Sequence, residues 1–246
     1  MSRPTRVSCV MPTTSSRRWC LPLAVRQFLR QTVHEGGPRT ELLVVFDGPG
    51  SVHDLLPRDS RIRLVEIPEG GSLGAKFNAC VAHAAGEVIA LWADDDWHHR
   101  ERVARSVDLL RACDVPIVGS LDALFHELHA PNNTYEYQSP DGSLVGGTCT
   151  FTREIARRVP FPDRPSGVDT MWLCALQKAG VPMTTGDLPP YIAFQHGQTT
   201  GRKQWPPTGS CWTGPLHGAD LTEILGDDLS AYRRAYARWS VDGKSA

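Results

Sequence analysis

Three adjacent aspartates, Asp94, Asp95 and Asp96, follow the apolar run Glu87-Val88-Ile89-Ala90-Leu91-Trp92, with only Ala93 between. Like charges this close raise one another's pKa and strain their surroundings unless a cation sits among them. A hard divalent ion such as Mg²⁺ or Mn²⁺ takes carboxylate oxygens and leaves much of its shell to phosphate oxygens. The triplet therefore points to a metal holding a diphosphate. The alternative is a solvated acidic turn that caps the following helix. Other segments carry compatible chemistry. Pro12-Thr13-Thr14 and Asp47-Gly48-Pro49-Gly50 each end a strand-like run. Leu73-Gly74-Ala75-Lys76-Phe77-Asn78 sets a cation and an amide at a helix start, where anions are favoured. Alone, each reads as a turn, a cap or a surface lysine.

The elements that must position these groups alternate along the chain. Arg6 to Met11 predicts a strand that stops at Pro12, and Trp19 to Val33 a helix through Leu21, Val25, Phe28 and Leu29. Glu41 to Phe46 and Arg61 to Ile67 predict strands, Ala75 to Ala85 a helix, and Glu87 to Trp92 a buried strand. This order implies a parallel sheet, with the acids at its C-terminal edge, where ligands of open α/β sheets bind. Further on, a helix is expected over Arg100 to Cys113, a strand over Val115 to Ser120, and loops with short strands from Ala130 to Gly147. Helices are expected over Ile155 to Arg158, Thr170 to Ala179 and Asp220 to Trp239. A Gly, Thr and Pro-rich stretch, Gly197 to Ser210, reads as a mobile loop whose Arg202, Lys203 and Trp205 are placed to close over a ligand. In the tail, Tyr232, Tyr236 and Trp239 lie on one helical face, and packing on the domain is favoured over contact with a membrane or an acceptor.

Composition narrows the classes. The 246 residues are 41% hydrophobic, enough to fill a core, and Lys+Arg of 26 against Asp+Glu of 27 gives no global pull toward nucleic acid or an anionic membrane. No apolar run approaches a membrane span, so no stable membrane insertion is expected and the chain reads as a soluble cytoplasmic protein. Seven scattered cysteines without a CxxC pair read as reduced structural thiols. His98 and His99 are adjacent and point apart, which argues against a zinc pair.

The ordered set VSCVMPTTSS, ELLVVFDGPG, GSLGAKFNACVAHAAGEVIALWADDDW, GGTCTFTREIARRVPFPD, GVDTMW and FQHGQTTG resembles the family 2 glycosyltransferases of the GT-A fold, from about Val7 to about Thr200. The resemblance implies an α/β fold: a Rossmann-like, mostly parallel sheet flanked by helices, with a smaller acceptor-side region in the second half. It implies one domain over 1–246, divided into a nucleotide-sugar half (1–120), an acceptor and catalytic half (121–219) and a C-terminal helix (220–246). The implied activity is inverting transfer of a sugar from a nucleoside-diphosphate sugar, UDP before GDP or dTDP, to an acceptor hydroxyl, with a divalent metal (Mn²⁺ or Mg²⁺). By position, Pro12 and Thr13 would line the nucleotide pocket, Asp47 would read the base, and Lys76 and Asn78 would approach the ribose and diphosphate. Asp94, Asp95 and Asp96 cover the DxD element, with Asp94 and Asp95 on the nucleotide and Asp96 on the metal together with His196. Asp169 falls where the family places its general base.

Three positions depart from the family pattern. Phe46 stands for one of the usual pair of acids after the second strand. Ala93 replaces a further acid, which leaves open whether Asp94 and Asp96 together or Asp95 alone bind the metal. Val168 replaces the usual Glu before Asp169. These departures bear on donor preference and rate more than on reaction type. A nucleotidyltransferase would want a glycine-rich basic phosphate loop, and PTTSSRRW has no glycine; a non-catalytic nucleotide-sugar-binding relative is the third reading. Acceptor contacts lie in the variable second half, so a glycan, lipid carrier, metabolite, peptide or modified nucleic acid all remain open as acceptor.

Overall fold

The computed structural model describes residues 5–32, 39–129, 133–197, 199–200, 205–216 and 218–242. In chain order its elements are β1 (Arg6–Thr14), α1 (Leu21–Leu29), β2 (Arg39–Asp47), β3 (Ile62–Ile67), α2 (Leu73–His83), β4 (Val88–Leu91), β5 (Trp97–His98), α3 (Arg102–Cys113) and β6 (Ile117–Val118). There follow β7 (Asp122–Glu127), β8 (Thr134–Gln138), β9 (Thr150–Thr152), α4 (Arg153–Arg158), α5 (Val168–Lys178), β10 (Met183–Thr184), β11 (Tyr191–Gln195), β12 (Trp212–Leu216), α6 (Gly218–Leu225) and α7 (Asp227–Asp242).

Seven strands form one sheet in the order β10-β6-β9-β4-β1-β2-β3. β1 to β4 are parallel, and β9 runs antiparallel between β4 and β6. The apolar runs alternate between two cores, as a pleated strand requires. Val10, Leu43, Val45, Ile89 and Leu91 pack against α2, α4 and α5, with Trp172 at the centre. Cys9, Met11, Leu42, Val44, Phe46 and Ala90 face α1 and α3. The expected mostly parallel sheet flanked by helices is present. All seven cysteines are free thiols. Among the described residues no helix is long and apolar enough to cross a membrane.

Several details differ from the sequence reading. β1 does not stop at Pro12 but runs on to Thr14. Its bonding to β4 ends at Val10, whose carbonyl accepts from Trp92 N, so beyond that point only β2 flanks it and the missing proline N–H costs no ladder bond. A second sheet, β12-β8-β7-β11-β5, was not anticipated over Asp122 to Glu127 or Tyr191 to Gln195. It takes β5 from before residue 120, while β9 and β10 return to the first sheet, so strands cross that expected division in both directions. The tail is two helices: Gly226, at φ +51, breaks it in the left-handed conformation that glycine adopts without a Cβ penalty. Residues 198 and 201–204, including Arg202 and Lys203 of the expected closing loop, lie outside the described residues.

Candidate active site

The parallel register brings the acids to one edge. Val10 pairs with Leu91 and Thr14 with Asp47. Thr13 and Asp94 each lie three residues beyond the Val10–Leu91 pair, and Thr13 Oγ1 donates to Asp94 Oδ2 at 2.6 Å. Pro12, Thr13, Lys76, Asp94, Asp95, Asp96 and Asp169 all line one cavity of about 650 Å³. The second sheet contributes its far wall through Phe125, Tyr137 and Tyr191.

The triplet does hold a cation, and it is Arg17. Its guanidinium lies 3.5 Å from Asp94 Oδ1, pairs closely with Asp95 Oδ2, and reaches Thr200 Oγ1 at 3.2 Å. His196 Nε2 lies 3.0 Å from the same Asp95 oxygen. Burial, then Arg17, push the His196 pKa down to about 3, so the ring is neutral and shares its Nε2 proton with Asp95. Asp96 turns elsewhere: Tyr191 Oη donates to Oδ2 and the Phe194 amide to Oδ1 at 3.0 Å. Burial raises the Asp96 pKa, and these two donors oppose the rise. Burial and the adjacent Asp96 carboxylate push the Tyr191 phenol well up, which keeps it a donor.

Three of the expected residues sit behind the cavity wall. Asp47 is 2.5 Å from Lys76 Nζ, so its carboxylate holds the lysine while the lysine lines the cavity. Asn78 spans two backbone groups of Phe161, donating to O and accepting from N, both at 2.9 Å, and ties α2 to the loop before α5. His196 has a fully buried side chain behind Asp95. The start of α2 is also less open to anions than expected. Ser72 Oγ accepts from Ala75 N, and Gly74 N donates to Arg164 O. A Cβ at Gly74 would fall 1.8 Å from the Pro162 carbonyl, so only glycine permits this approach.

Asp169 lies in the first turn of α5, whose N-cap Gly167 is left-handed at φ +64. A carboxylate there is favoured by the helix dipole. Among the described residues it makes no hydrogen bond or ion pair, unlike the three acids across the cavity. Gly146 makes room for it, since a Cβ there would lie 2.1 Å from Asp169 Oδ2. Arg102 fixes that wall by donating to Leu91 O and Gly147 O, each at 2.7 Å.

A divalent ion would find two converging donors. Cis ligands about 2.1 Å from an octahedral ion are about 3.0 Å apart, which is the separation of Asp95 Oδ2 and His196 Nε2. The donor set fits such an ion with Asp95 and His196 as protein ligands, provided Arg17 leaves the shared oxygen and the imidazole carries its proton on Nδ1. Among the described residues no third His, Cys, Asp or Glu completes a cluster. Asp96, expected as the metal partner of His196, is engaged by Tyr191 and Phe194 instead.

Sequence reasoning missed the supports from the far end of the chain. Tyr232 Oη of α7 donates to Asp96 O at 2.9 Å, and Trp97 Nε1 donates to Asp228 Oδ2 at 2.8 Å. Tyr236 Oη accepts from Gly197 N at 3.1 Å, and its ring, with Trp19, flanks His196. The expectation that the aromatic face of the tail packs on the domain holds, with Tyr232 and Tyr236 buried. Arg17 was also missed, although Arg17-Arg18 directly after Pro12-Thr13-Thr14 placed two cations at the edge that carries the acids.

The mostly parallel seven-stranded sheet with helices on both faces has the architecture of the GT-A glycosyltransferases. The chain belongs to glycosyl transferase family 2, whose model matches residues 8–173. Solved structures share the fold at low identity. S. aureus TarS 1-349 in complex with UDP-GlcNAc aligns with TM-score 0.62 and 13% identity, over 92% of this chain and 72% of that one. Mannosyltransferase PcManGT from Pyrobaculum calidifontis, in complex with GDP-Man and Mn²⁺, aligns with TM-score 0.60 and 18% identity, over 98% and 76%. Longer TarS aligns with TM-score 0.57 and 14% identity, and this chain spans 37% of its length. No curated protein matches the sequence.

Proposed function

We propose that this glycosyltransferase moves a sugar from a nucleoside-diphosphate sugar, with UDP the expected nucleotide, to an acceptor hydroxyl with inversion of configuration. The observation that carries the reading is the convergence of Thr13, Lys76 and the aspartate triplet on one cavity that Asp169, without an ion pair among the described residues, also lines. Similar folds with UDP-GlcNAc and with GDP-Man and Mn²⁺ support it. Residues 1–120 supply most donor contacts, 121–219 the acceptor side, and 220–246 the brace. Pro12, Thr13 and Asp94 frame the nucleotide, and Lys76, held by Asp47, offers its ammonium to the diphosphate. Asn78 acts one step back, by fixing the helix that carries Lys76.

Asp169 removes the acceptor proton, which supplies about 10² to 10⁴ in rate, and holding both substrates in line supplies more. Bound at Asp95 and His196, a divalent ion would stabilise charge on the leaving diphosphate. Attack from the Asp169 side, opposite that diphosphate, inverts the anomeric carbon.

Calorimetry with UDP, GDP and dTDP sugars, in Mn²⁺ and in chelator, tests the donor half. Metal-dependent binding of one donor, lost in Asp95→Asn, is expected; no binding of any nucleotide would sink the reading. Asp169→Asn is expected to bind that donor normally and to lose about 10² to 10⁴ in kcat. A variant retaining full turnover would remove Asp169 as base.

A further inference from the structure

We propose that Arg17 is a tethered counter-cation that competes with the divalent metal for Asp95, offsetting part of the triplet's charge before metal binds and turning to the donor diphosphate when metal arrives. The inference rests on the donor and metal reading above. Three observations carry it.

First, one oxygen has two claimants. Asp95 Oδ2 receives the Arg17 guanidinium and lies 3.0 Å from His196 Nε2, so an ion bound by Asp95 and His196 must take the oxygen Arg17 holds. A guanidinium held this close to that oxygen and a divalent ion bound to it repel each other, so each weakens the other's hold on Asp95.

Second, the charge count needs a cation in both states. Among the described residues the cavity is lined by five carboxylates (Asp94, Asp95, Asp96, Asp141 and Asp169) and two side-chain cations, Arg17 and Lys76. Lys76 is already paired with Asp47. Empty, the triplet depends on Arg17, since unpaired buried carboxylates are costly. Loaded, a diphosphate brings further negative charge, and a guanidinium that has given up Asp95 matches its oxygens in bidentate fashion.

Third, Arg17 stands at the boundary between the triplet and the open cavity. It is carried on the single turn Ser15–Arg17 between β1 and α1, and its Nη2 is already at the cavity wall beside Thr200. The exchange proposed is a turn of this side chain toward the cavity.

Competition lowers apparent metal affinity by the fraction of molecules in which Asp95 is free. Mn²⁺ binding would be measured by electron paramagnetic resonance on the full chain without nucleotide, for the wild type, Arg17→Gln and Arg17→Lys, with melting temperature recorded in chelator and in Mn²⁺. Arg17→Gln is expected to bind Mn²⁺ about tenfold or more tightly than the wild type. It should also melt lower in chelator and gain more from Mn²⁺, while its affinity for the nucleoside diphosphate falls. Arg17→Lys, which keeps a point charge without the fork, should fall between, and serves if the Gln variant does not fold in chelator. Unchanged or weaker Mn²⁺ binding in both variants would overturn the proposal and mark Arg17 as a fixed structural ion pair. The two readings fail separately. Donor binding with no Arg17 effect on Mn²⁺ removes the competition alone, whereas tighter Mn²⁺ with no nucleotide bound by any form removes the donor reading and leaves the competition standing.

Discussion

His126 of β7 gives the fold an acid weakness whose size follows from its contacts. The ring is buried, 1% exposed, with Nε2 3.1 Å from Arg233 Nη2 and Nδ1 2.8 Å from Thr134 Oγ1. A guanidinium only donates, so Nε2 must accept and the proton stays on Nδ1, donated to Thr134. Burial, then Arg233, push the His126 pKa from 6.5 down to about 4. The unfolded chain therefore takes up a proton near pH 6.5 that the folded chain refuses until about pH 4, and stability falls as pH drops through that window. At pH 5 the loss is about 2 kcal/mol, and at full protonation about 3 kcal/mol. That is a large share of a typical 5–15 kcal/mol. Urea unfolding of the wild type and His126→Gln at pH 7.5, 6 and 5 isolates the effect, because all other titrations are common to both chains. The stability advantage of the wild type over the variant should shrink by about 2 kcal/mol between pH 7.5 and 5. A difference that stays constant across the series would refute the assignment of a neutral, Arg233-bonded imidazole.

Other substitutions separate packing from positioning. Trp172, fully buried, stacked on Phe161 at 4.3 Å and donating to Val159 O, should cost about 3 to 5 kcal/mol as Trp172→Ala in a denaturant melt. Gly146→Ala sets a methyl against the Asp169 carboxylate, and steady-state kinetics should show kcat falling at least tenfold with donor affinity kept; unchanged kcat would mean the base is elsewhere. Tyr232→Phe removes the bond to Asp96 O, for a loss of about 1 kcal/mol in stability together with weaker Mn²⁺ binding, and a purely global effect would leave Mn²⁺ affinity untouched.

The first sheet was legible because central parallel strands are continuous apolar runs, and the polar residues that end them stand out. The triplet was legible for the same reason, whereas Asp169, in the first turn of α5, stood out only through the family pattern. The second sheet was not. β7 and β8 have mixed burial, and the partners that complete the sheet, β11 and β5, arrive from distant segments. Nor could side-chain direction be read. Asp47 and Asn78 have the right types at the right places, yet one binds Lys76 and the other the Phe161 backbone. Arg17 looked like a surface cation, and what buries it is a pair of acids 77 and 78 residues away.

The reach of α7 has a consequence for how the protein comes into being. Tyr232 grips the carbonyl of a residue 136 positions earlier, and Asp228 holds the Trp97 indole from 131 positions away. On the ribosome, the acidic triplet is therefore made long before the helix that fastens it. A nascent chain stalled between Asp169 and Asp228 carries the triplet, the cavity-lining Lys76 and Asp169, yet leaves its Asp95–Asp96 loop unlatched. Turns synthesised more than a hundred residues after the acids are the ones that fasten them.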